Sequence, residues 1–382
     1  CQSKSMLNIQ FIDQSYQLEL LYSRIRSATF VAIDTEFHSE NKYIPDLMLV
    51  QISIQRGEVF LIDALAGLNL DPLGRLLNQK IIITHGGRED YRLLYRELGL
   101  RAARAFDTQI MAGFIGWHFP MRFDTLLERS VGIQLSKGST MSNWRQRPLS
   151  TEQLNYAAED ANQLLSIFYQ LRLMLQEQDK FQLAERASIE YMESALMPKI
   201  PEEIWPYWSI AESMDTAQRN TLNNLLRWRE SLAMDLNRSS NAILPQGIII
   251  DIARRMPTST EGILENRKIS RSRISKYGNY IMQCIKLAQK DRTEYQVLTS
   301  EGRRTSKIIQ FWTIAASNQL QIDPSLLLSE RQCHQIALHG PEDSLVGWRR
   351  DLLLPIINIF LNGQTAIQIS PNGPNLIDCD SP

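Results

Sequence analysis

Cysteine is scarce in this chain of 382 residues. Cys1, Cys284, Cys333 and Cys379 lie far apart and form neither a CxxC pair nor a cluster with histidine. Zinc knuckles and disulfide frameworks both need such spacings, so the sequence indicates neither. A chain without a disulfide pattern fits a reducing compartment, and we expect a cytoplasmic protein.

Long apolar runs are missing as well. The longest late run, at about residues 352–361, contains a proline and is well short of the roughly 20 residues that cross a bilayer. The segment before Met6 has none of the features of a signal peptide. We therefore expect no membrane partner.

Charge of either sign is not in excess. The formal net charge is −1, with 43% hydrophobic and 22% charged residues, a composition typical of globular proteins. Any nucleic-acid surface must therefore be local. The length exceeds one ordinary core and predicts two or three domains.

The first half of the sequence alternates strand and helix signals. Three β-like runs read FVAIDTEF, LMLVQISI and EVFLIDA, and a tight QRG turn between the last two implies an antiparallel hairpin. KIIIT, at 80–84, predicts a buried strand that leads through HGG into a helix from about Glu89 to Leu98. We predict an α/β fold with a mixed sheet flanked by helices.

The second half has few strand signals. From Trp205 onward, helical segments are separated by LPQG, MPTS, GP and NG. The last segment, QTAIQISPNGPNLIDCDSP, is expected to be disordered over residues 366–382.

Two carboxylates, Asp34 and Glu36, end the run FVAIDTEF. Positions i and i+2 of a strand point to the same face, so the two acids are predicted to stand side by side. Their repulsion requires a positive charge, either an arginine pair or a hard divalent cation. Taken alone, the pair also fits a solvated strand end without chemistry.

Further candidates follow along the chain. HGGRED places Asp90 in the first turn of a helix, where the macrodipole favours an anion with or without a chemical role. His85 has no second histidine at metal-binding spacing, which favours a hydrogen-bonded structural role. In YAAEDA, Tyr156 and Asp160 are four residues apart and share a helix face, as pairs on many surface helices do.

Together these motifs resemble a known superfamily. DTE, HxGxxD and YxxxD, in this order, resemble the three exonuclease motifs of the DEDD superfamily, tyrosine subtype. IDTEF, YIPDLMLVQ, LIDA, HGGREDYRLL, FDTQIMAGF, KGSTMSNWRQRPL and YAAEDA are similar to the ribonuclease D family. HGG stands where HAG is usual, and the lysine-serine loop reads Lys137-Gly138-Ser139, a departure that could alter substrate contacts.

The resemblance extends into the second half and implies the domain plan. LLRWRESLAMDLNRSSNAILP is similar to the helicase-and-RNase-D C-terminal (HRDC) domain, and LVGWRRDLLLPIINIFLNG resembles the end of a second, divergent copy. The implied parts are a ribonuclease-H-like exonuclease domain followed by two all-α domains and the tail. Their ranges are 6–195 for the exonuclease domain, 211–292 for the first HRDC domain, 298–365 for the second and 366–382 for the tail.

The resemblance further implies a catalytic metal site. Asp34, Glu36, Asp90 and Asp160 are expected to hold two divalent metal ions, Mg²⁺ or Mn²⁺, because hard oxygen ligands favour these over zinc. Two such ions serve phosphodiester hydrolysis by acidifying the attacking water and stabilising the leaving oxygen. Tyr156 joins the catalytic set; a phenol with a pKa near 10 is expected to orient water rather than deprotonate it.

The candidates for nucleic-acid binding are Lys42, Tyr43, His85, Trp144 and Arg147. Aromatic rings stack on bases and cations pair with phosphates. For Trp144, a packing role is an equally good alternative. Residues 211–290 contain thirteen Lys or Arg against seven Asp or Glu, a surplus of +6 that favours RNA binding by this segment.

The resemblance implies a 3'-to-5' exoribonuclease, and we expect a monomer. It is expected to trim the 3' extensions of structured RNA such as tRNA precursors and to release nucleoside 5'-monophosphates. The alternatives are a 3'-to-5' DNA exonuclease of the same superfamily and a catalytically silent RNA-binding adaptor. The presence of all four carboxylates argues against the adaptor.

Overall fold

A six-stranded mixed sheet forms the centre of the N-terminal half. The computed structural model describes residues 7–134, 143–198, 200–265, 268–371 and 373–379. The strands are β1 Asn8–Ile12, β2 Phe30–His38, β3 Asp46–Gln55, β4 Glu58–Asp63, β5 Ile81–Thr84 and β6 Arg104–Asp107. Their order is β1-β4-β3-β2-β5-β6, with β2–β3 and β3–β4 antiparallel and the other pairs parallel. The predicted mixed sheet and its β3–β4 hairpin are confirmed.

Helices cover the two faces of this sheet. They are α1 Leu18–Ser27, α2 Asp71–Leu77, α3 Arg88–Leu98, α4 Thr108–Phe114, α5 Phe123–Val131, α6 Thr151–Glu177 and α7 Phe181–Glu193. The apolar sides of α1, α2 and α3 bury one face, and those of α4 to α7 bury the other. Because alternate residues of β2 point to opposite faces, Asp34 and Glu36 share a face while Thr35 points to the other.

Helix α6 crosses the sheet beside the two acids. Ser150 caps its N-terminus in a reciprocal pair with Gln153, which satisfies backbone donors of the first turn. Its small residues Ala157, Ala158 and Ala161 are fully buried against β3 and β4. This close packing brings Tyr156 and Asp160, each of which directly precedes one of these alanines, towards β2.

The second half is helical up to Leu361. Its longer helices are α9 Thr216–Asp235, α11 Gln246–Arg255, α13 Arg271–Lys290, α14 Ser300–Leu320, α16 Glu330–His339 and α18 Gly347–Leu361. Four-residue helices lie between them: α8 Ser209–Glu212, α10 Ser240–Ile243, α12 Thr260–Ile263, α15 Pro324–Leu327 and α17 Pro341–Ser344. Short 3₁₀ turns occupy Ser15–Gln17, Pro201–Glu203 and Trp205–Tyr207. Helices α9 to α13 enclose a core of their own around Trp205 and Leu222.

The region expected as the second HRDC domain shares its core with the exonuclease half. Trp348 of α18 packs its ring 5.0 Å from that of Phe114 in α4. The Asp323 amide donates to the Gly113 carbonyl at 2.9 Å. Helices α14 to α18 are therefore packed against α4 and α7 through one continuous apolar cluster.

The expectation of a disordered tail is wrong for the described residues 366–371 and 373–379. Strands β7 Thr365–Ser370 and β8 Gly373–Asp378 form an antiparallel hairpin. Ile367 and Leu376 face each other across it and pack on the apolar cluster beside α14. The alternation in TAIQIS supports a strand, but the turn-rich letters around it concealed a hairpin that is stabilised by tertiary packing.

Within the described ranges, the helices include none with the length and apolar character needed to traverse a lipid bilayer.

Candidate active site

Three elements bring four acids to one end of the sheet. Asp34 and Glu36 come from β2, Asp90 from the first turn of α3, and Asp160 from the third turn of α6. Asp90 is 8% exposed, and Asp34 and Glu36 are partly buried. The sequence motifs thus lead to one cluster of acids.

Burial raises the pKa of all four acids in this cluster, and the charges of the other members add to the rise at Asp34 and Glu36. Burial, then Asp90, Asp160 and Glu36, hold the pKa of Asp34 well above its ordinary value. Burial and the charges of Asp160 and Asp90 raise the pKa of Glu36 to about 8. Burial raises the pKa of Asp90 to about 6 and that of Asp160 to about 7. The four groups cannot all be ionised at neutral pH without a cation.

Basic side chains do not provide that cation. Across residues 7–134 and 143–198, no lysine, arginine or histidine forms an ion pair with any of the four acids. Of the two compensating charges that the sequence left open, an arginine pair is therefore absent from the described site. Divalent cations with oxygen ligands fit the donor set. Among the described residues, no group of three or more acidic, histidine or cysteine side chains is arranged to hold a metal ion in this structure.

Tyr156 lies against Asp160. A hydrogen bond joins its hydroxyl to that carboxylate, and burial followed by the Asp160 charge raises the pKa of the phenol. Trp144, only 7% exposed, places its ring 6.3 Å from that of Tyr156. The structure favours the packing alternative for Trp144 over base stacking, because the indole is buried between α6 and the sheet.

Thr35 and Gln51 are site residues that the motif analysis missed. The Thr35 hydroxyl donates a hydrogen bond to Asp90, which ties α3 to β2. Gln51 of β3 is fully buried opposite Asp34, and its amide nitrogen lies 2.9 Å from Asp34 Oδ2 and 3.3 Å from the Ala157 carbonyl in the orientation that satisfies both. The strand register could have identified Gln51, since it aligns with Asp34 across the β2–β3 pair.

Asp107 was also missed, although it holds the loop that presents Asp90. Its fully buried carboxylate accepts from the backbone amides of Gly86 at 3.0 Å, Gly87 at 2.8 Å and Gln109 at 2.9 Å. Gly86 has φ +60°, and a Cβ on Gly87 would lie 2.5 Å from Thr84 Cβ. Both glycines of HGG are thus required for this turn, which Asp107 stabilises by accepting hydrogen bonds from their backbone amides.

His85 is engaged in structural contacts. Its Nδ1 lies 2.9 Å from the Thr108 hydroxyl, and its ring packs edge-on against Phe123. Burial lowers its pKa, so the imidazole is neutral at pH 7. These contacts favour the structural role over a direct contact with nucleic acid.

Three other candidates for nucleic-acid binding are paired within the protein. Arg147 forms a two-pronged ion pair with Asp63 and also donates to the Met48 and Trp144 carbonyls, contacts that disfavour its expected phosphate contact. Tyr43 donates to Glu230 of α9 at 2.6 Å, so its ring lies against the helical half and not in an open entry. Lys42 pairs with Asp46 and is one-third exposed, so it remains accessible to a phosphate. Lys137-Gly138-Ser139 lies outside the described residues.

Comparison with known proteins identifies the family. A family model described as 3'-5' exonuclease matches residues 9–176, and one described as HRDC domain matches residues 218–285. Ribonuclease D of Xanthomonas oryzae pv. oryzae is 30% identical over 337 residues, which cover 85% of this chain and 90% of that protein. The chain belongs to the ribonuclease D family. Ribonuclease D of Sphingobium indicum is 27% identical over 352 residues, covering 88% of this chain and 90% of the relative.

Solved structures agree with this assignment. The crystal structure of Escherichia coli RNase D, described as an exoribonuclease involved in structured RNA processing, superposes with a TM-score of 0.80 at 25% identity. It covers 94% of this chain and 99% of its own. As a member of the ribonuclease D family, the chain is a hydrolytic 3'-5' exoribonuclease with an exonuclease domain, a helical HRDC region and a dependence on divalent metal.

The raised pKa values predict how metal-free stability depends on pH. A folded acid whose pKa is above its unfolded value binds extra protons in the native state, so the free energy of unfolding falls as pH rises through that interval. For Glu36 the interval runs from 4.5 to about 8, and for Asp160 from 3.8 to about 7. In a chelator, we expect the Tm to fall between pH 5 and pH 8.

Two additions make this measurement specific. Glu36→Gln removes one of the shifted groups and is expected to flatten the fall, whereas excess Mn²⁺ is expected to raise the Tm most at pH 8. A metal-free Tm that rises steadily from pH 5 to pH 8 in wild type and variant alike would contradict the assigned repulsion.

Asp107→Asn tests the fastening of the Asp90 loop. The variant keeps an acceptor oxygen but turns an amide group towards the glycine N–H donors, so the loop should shift. We expect Mn²⁺ affinity and turnover to fall by about 10- to 100-fold, the range for groups that support metal ligands. Asp323→Asn, which changes a helix-capping aspartate at α15, is the matched control. A loss of Tm in Asp107→Asn with unchanged Mn²⁺ affinity would show a purely structural role.

Proposed function

We propose that this ribonuclease D trims 3' extensions of structured RNA, tRNA precursors among them, with two divalent ions, Mg²⁺ or Mn²⁺, held by Asp34, Glu36, Asp90 and Asp160. The observation that carries the proposal is the set of four neighbouring acids with raised pKa values and no described basic partner. Such a set is costly for a fold unless cations neutralise it. Similarity to Escherichia coli RNase D, an exoribonuclease involved in structured RNA processing, supports structured RNA as the substrate class.

Each acid has a distinct part in this proposal. Bound divalent ions acidify water and stabilise the oxygen that leaves the phosphate. Asp34, whose pKa is raised by the charges of the other three acids, would take part in holding both ions. Glu36, its neighbour on the same face of β2, completes the cage and accepts a hydrogen bond from the terminal 3'-hydroxyl. Recognition of that hydroxyl restricts attack to a chain end and releases nucleoside 5'-monophosphates.

Asp90 and Asp160 close the cage from the two helices. Thr35 holds Asp90 by a hydrogen bond, and Asp107 holds the loop before it. The Asp160 carboxylate accepts a hydrogen bond from the Tyr156 hydroxyl. These contacts position two of the proposed ligands, which come from elements on opposite faces of the sheet, beside the acids of β2.

Tyr156 orients the attacking water. The raised pKa keeps its hydroxyl protonated at neutral pH, which makes it a hydrogen-bond donor and a poor base. Packing of Trp144 beside the ring restricts its movement. The phenol therefore holds a position next to the acids without changing their charge.

RNA approaches the site past Lys42. Among the candidates for nucleic-acid binding, this side chain is the one that remains accessible to a phosphate. Tyr43, His85, Trp144 and Arg147 act on the substrate indirectly, because their polar groups or rings are engaged within the protein. They support the walls of the site and the contact with α9. Preference for RNA over DNA is inferred from family membership.

Asp34→Asn and Asp160→Asn test the proposed cage. Each removes a negative charge that a cation needs and leaves core packing unchanged, so we expect loss of cleavage with a retained or raised Tm. Mg²⁺ or Mn²⁺ is added to 5'-labelled RNA and DNA oligonucleotides, one RNA carrying a 3'-phosphate. We expect the wild type to shorten only the RNA with a free 3'-hydroxyl, one nucleotide at a time. Glu40→Gln, which changes an exposed acid beyond the site, should behave as wild type. Wild-type turnover by Asp34→Asn or Asp160→Asn at saturating metal would defeat the assignment.

Tyr156→Phe separates orientation of water from metal binding. We expect unchanged Mn²⁺ and RNA affinity with turnover slowed by about 10²- to 10⁴-fold, the usual contribution of a positioned proton-handling group. Tyr22→Phe, a buried tyrosine of α1 in the other layer, is the control and should be silent. Weakened Mn²⁺ binding in Tyr156→Phe would show a structural role, and an unimpaired rate would remove the phenol from the reaction.

A further inference from the structure

Helix α13 carries cations but no acid. Its sequence, RSRISKYGNYIMQCIKLAQK, contains five Lys or Arg and neither Asp nor Glu. Among the described residues, no carboxylate forms an ion pair with Lys276, Lys286 or Lys290. By contrast, Arg104 and Arg147 of the exonuclease half are paired with acids. The positive charge of α13 is therefore available to an external anion.

One exposed stripe of α13 combines these cations with an aromatic ring. Steps of four and three residues place five side chains along one side of the helix. We name this stripe the α13 ledge; its members are Lys276, Tyr280, Gln283, Leu287 and Lys290. At 1.5 Å per residue the ledge is about 21 Å long. Tyr280 and Leu287 are each 56% exposed, so the ledge is amphipathic as well as positive.

Trp228 of α9 supports the ring from behind. Its indole lies nearly parallel to the Tyr280 ring, with centroids 6.4 Å apart and planes at 17°. It also packs edge-on against Tyr277, which is buried. Tyr280 is thus held by a neighbouring ring at its base while much of its surface faces solvent. A supported, exposed aromatic ring between cations is the arrangement that stacks on unpaired bases.

We propose that the α13 ledge binds single-stranded RNA, with Tyr280 stacking on an unpaired base and Lys276 and Lys290 contacting phosphates. The inference rests on the proposed function only in taking RNA as the ligand; it places part of the grip on one helix of the HRDC region. The lysines of the ledge favour a polyanion as the ligand. The exposed Tyr280 ring between them favours a polyanion with accessible bases.

The test combines a protein change with a substrate change. Binding is measured without divalent cations, by fluorescence anisotropy, to a short single-stranded RNA and to an oligomer of the same backbone that lacks bases. Tyr280→Ala is expected to weaken binding of the RNA by about 5- to 100-fold, as loss of one stacked base does, and to leave the abasic affinity unchanged. Tyr280→Phe should bind as wild type. Tyr16→Ala, which removes a tyrosine 77% exposed in the exonuclease half, is the matched control.

Charge and catalysis are read separately. Lys276→Gln should weaken the binding of both oligomers and lower the salt dependence of binding. In Tyr280→Ala, the loss should appear in the KM for RNA rather than in the turnover number at saturation, because the ring lies outside the acid cluster. Equal losses on both oligomers, or no loss on either, would overturn the proposal and leave the ledge for a protein partner. Absence of RNA hydrolysis in the wild type would instead defeat the proposed function and leave this binding result standing.

Discussion

Repulsion among four carboxylates is the constraint on which the rest of this structure depends. Burial raises the pKa values of Asp34, Glu36, Asp90 and Asp160, and the charges of neighbouring acids add to the effect. A fold gains nothing from such a cluster by itself, because unpaired buried charge destabilises the native state. The cluster is consistent with a protein whose native ligands are divalent cations, and the family assignment points to the same chemistry.

Much of the surrounding structure keeps the acids together. Three alanines let α6 approach the sheet, and this approach carries Tyr156 and Asp160 to β2. Asp107 accepts hydrogen bonds from the backbone N–H groups of the turn at Gly86 and Gly87, and Thr35 holds the helix that follows the turn. These contacts come from uncharged side chains and one fully satisfied carboxylate, so they position the acids without neutralising them.

Local sequence patterns predicted the parts of the fold that obey short-range rules. The two-residue period of β2 put Asp34 and Glu36 on one face, and the tight turn at Arg56-Gly57 predicted the β3–β4 hairpin. Convergence of the acids followed from family motifs alone, because no local pattern relates β2 to α3 and α6.

Contacts between distant segments account for what the sequence did not reveal. The roles of Asp107 and Gln51 depend on such contacts, and the burial of Trp144 depends on where α6 lies. The tail hairpin was not predicted for the same reason. Its apolar residues are buried by packing on α14, and this contact cannot be inferred from the local sequence.

Proton release on metal binding tests the central claim most directly. If repulsion keeps part of the acid cluster protonated at neutral pH, cations must displace those protons when they bind. Titration calorimetry with Mn²⁺ at pH 7, in two buffers of different ionisation enthalpy, counts the protons released. We predict a net release for the wild type that falls in Glu36→Gln. Mn²⁺ binding without proton release, or no Mn²⁺ binding at all, would contradict the claim that the four acids form a repelling cage for divalent cations.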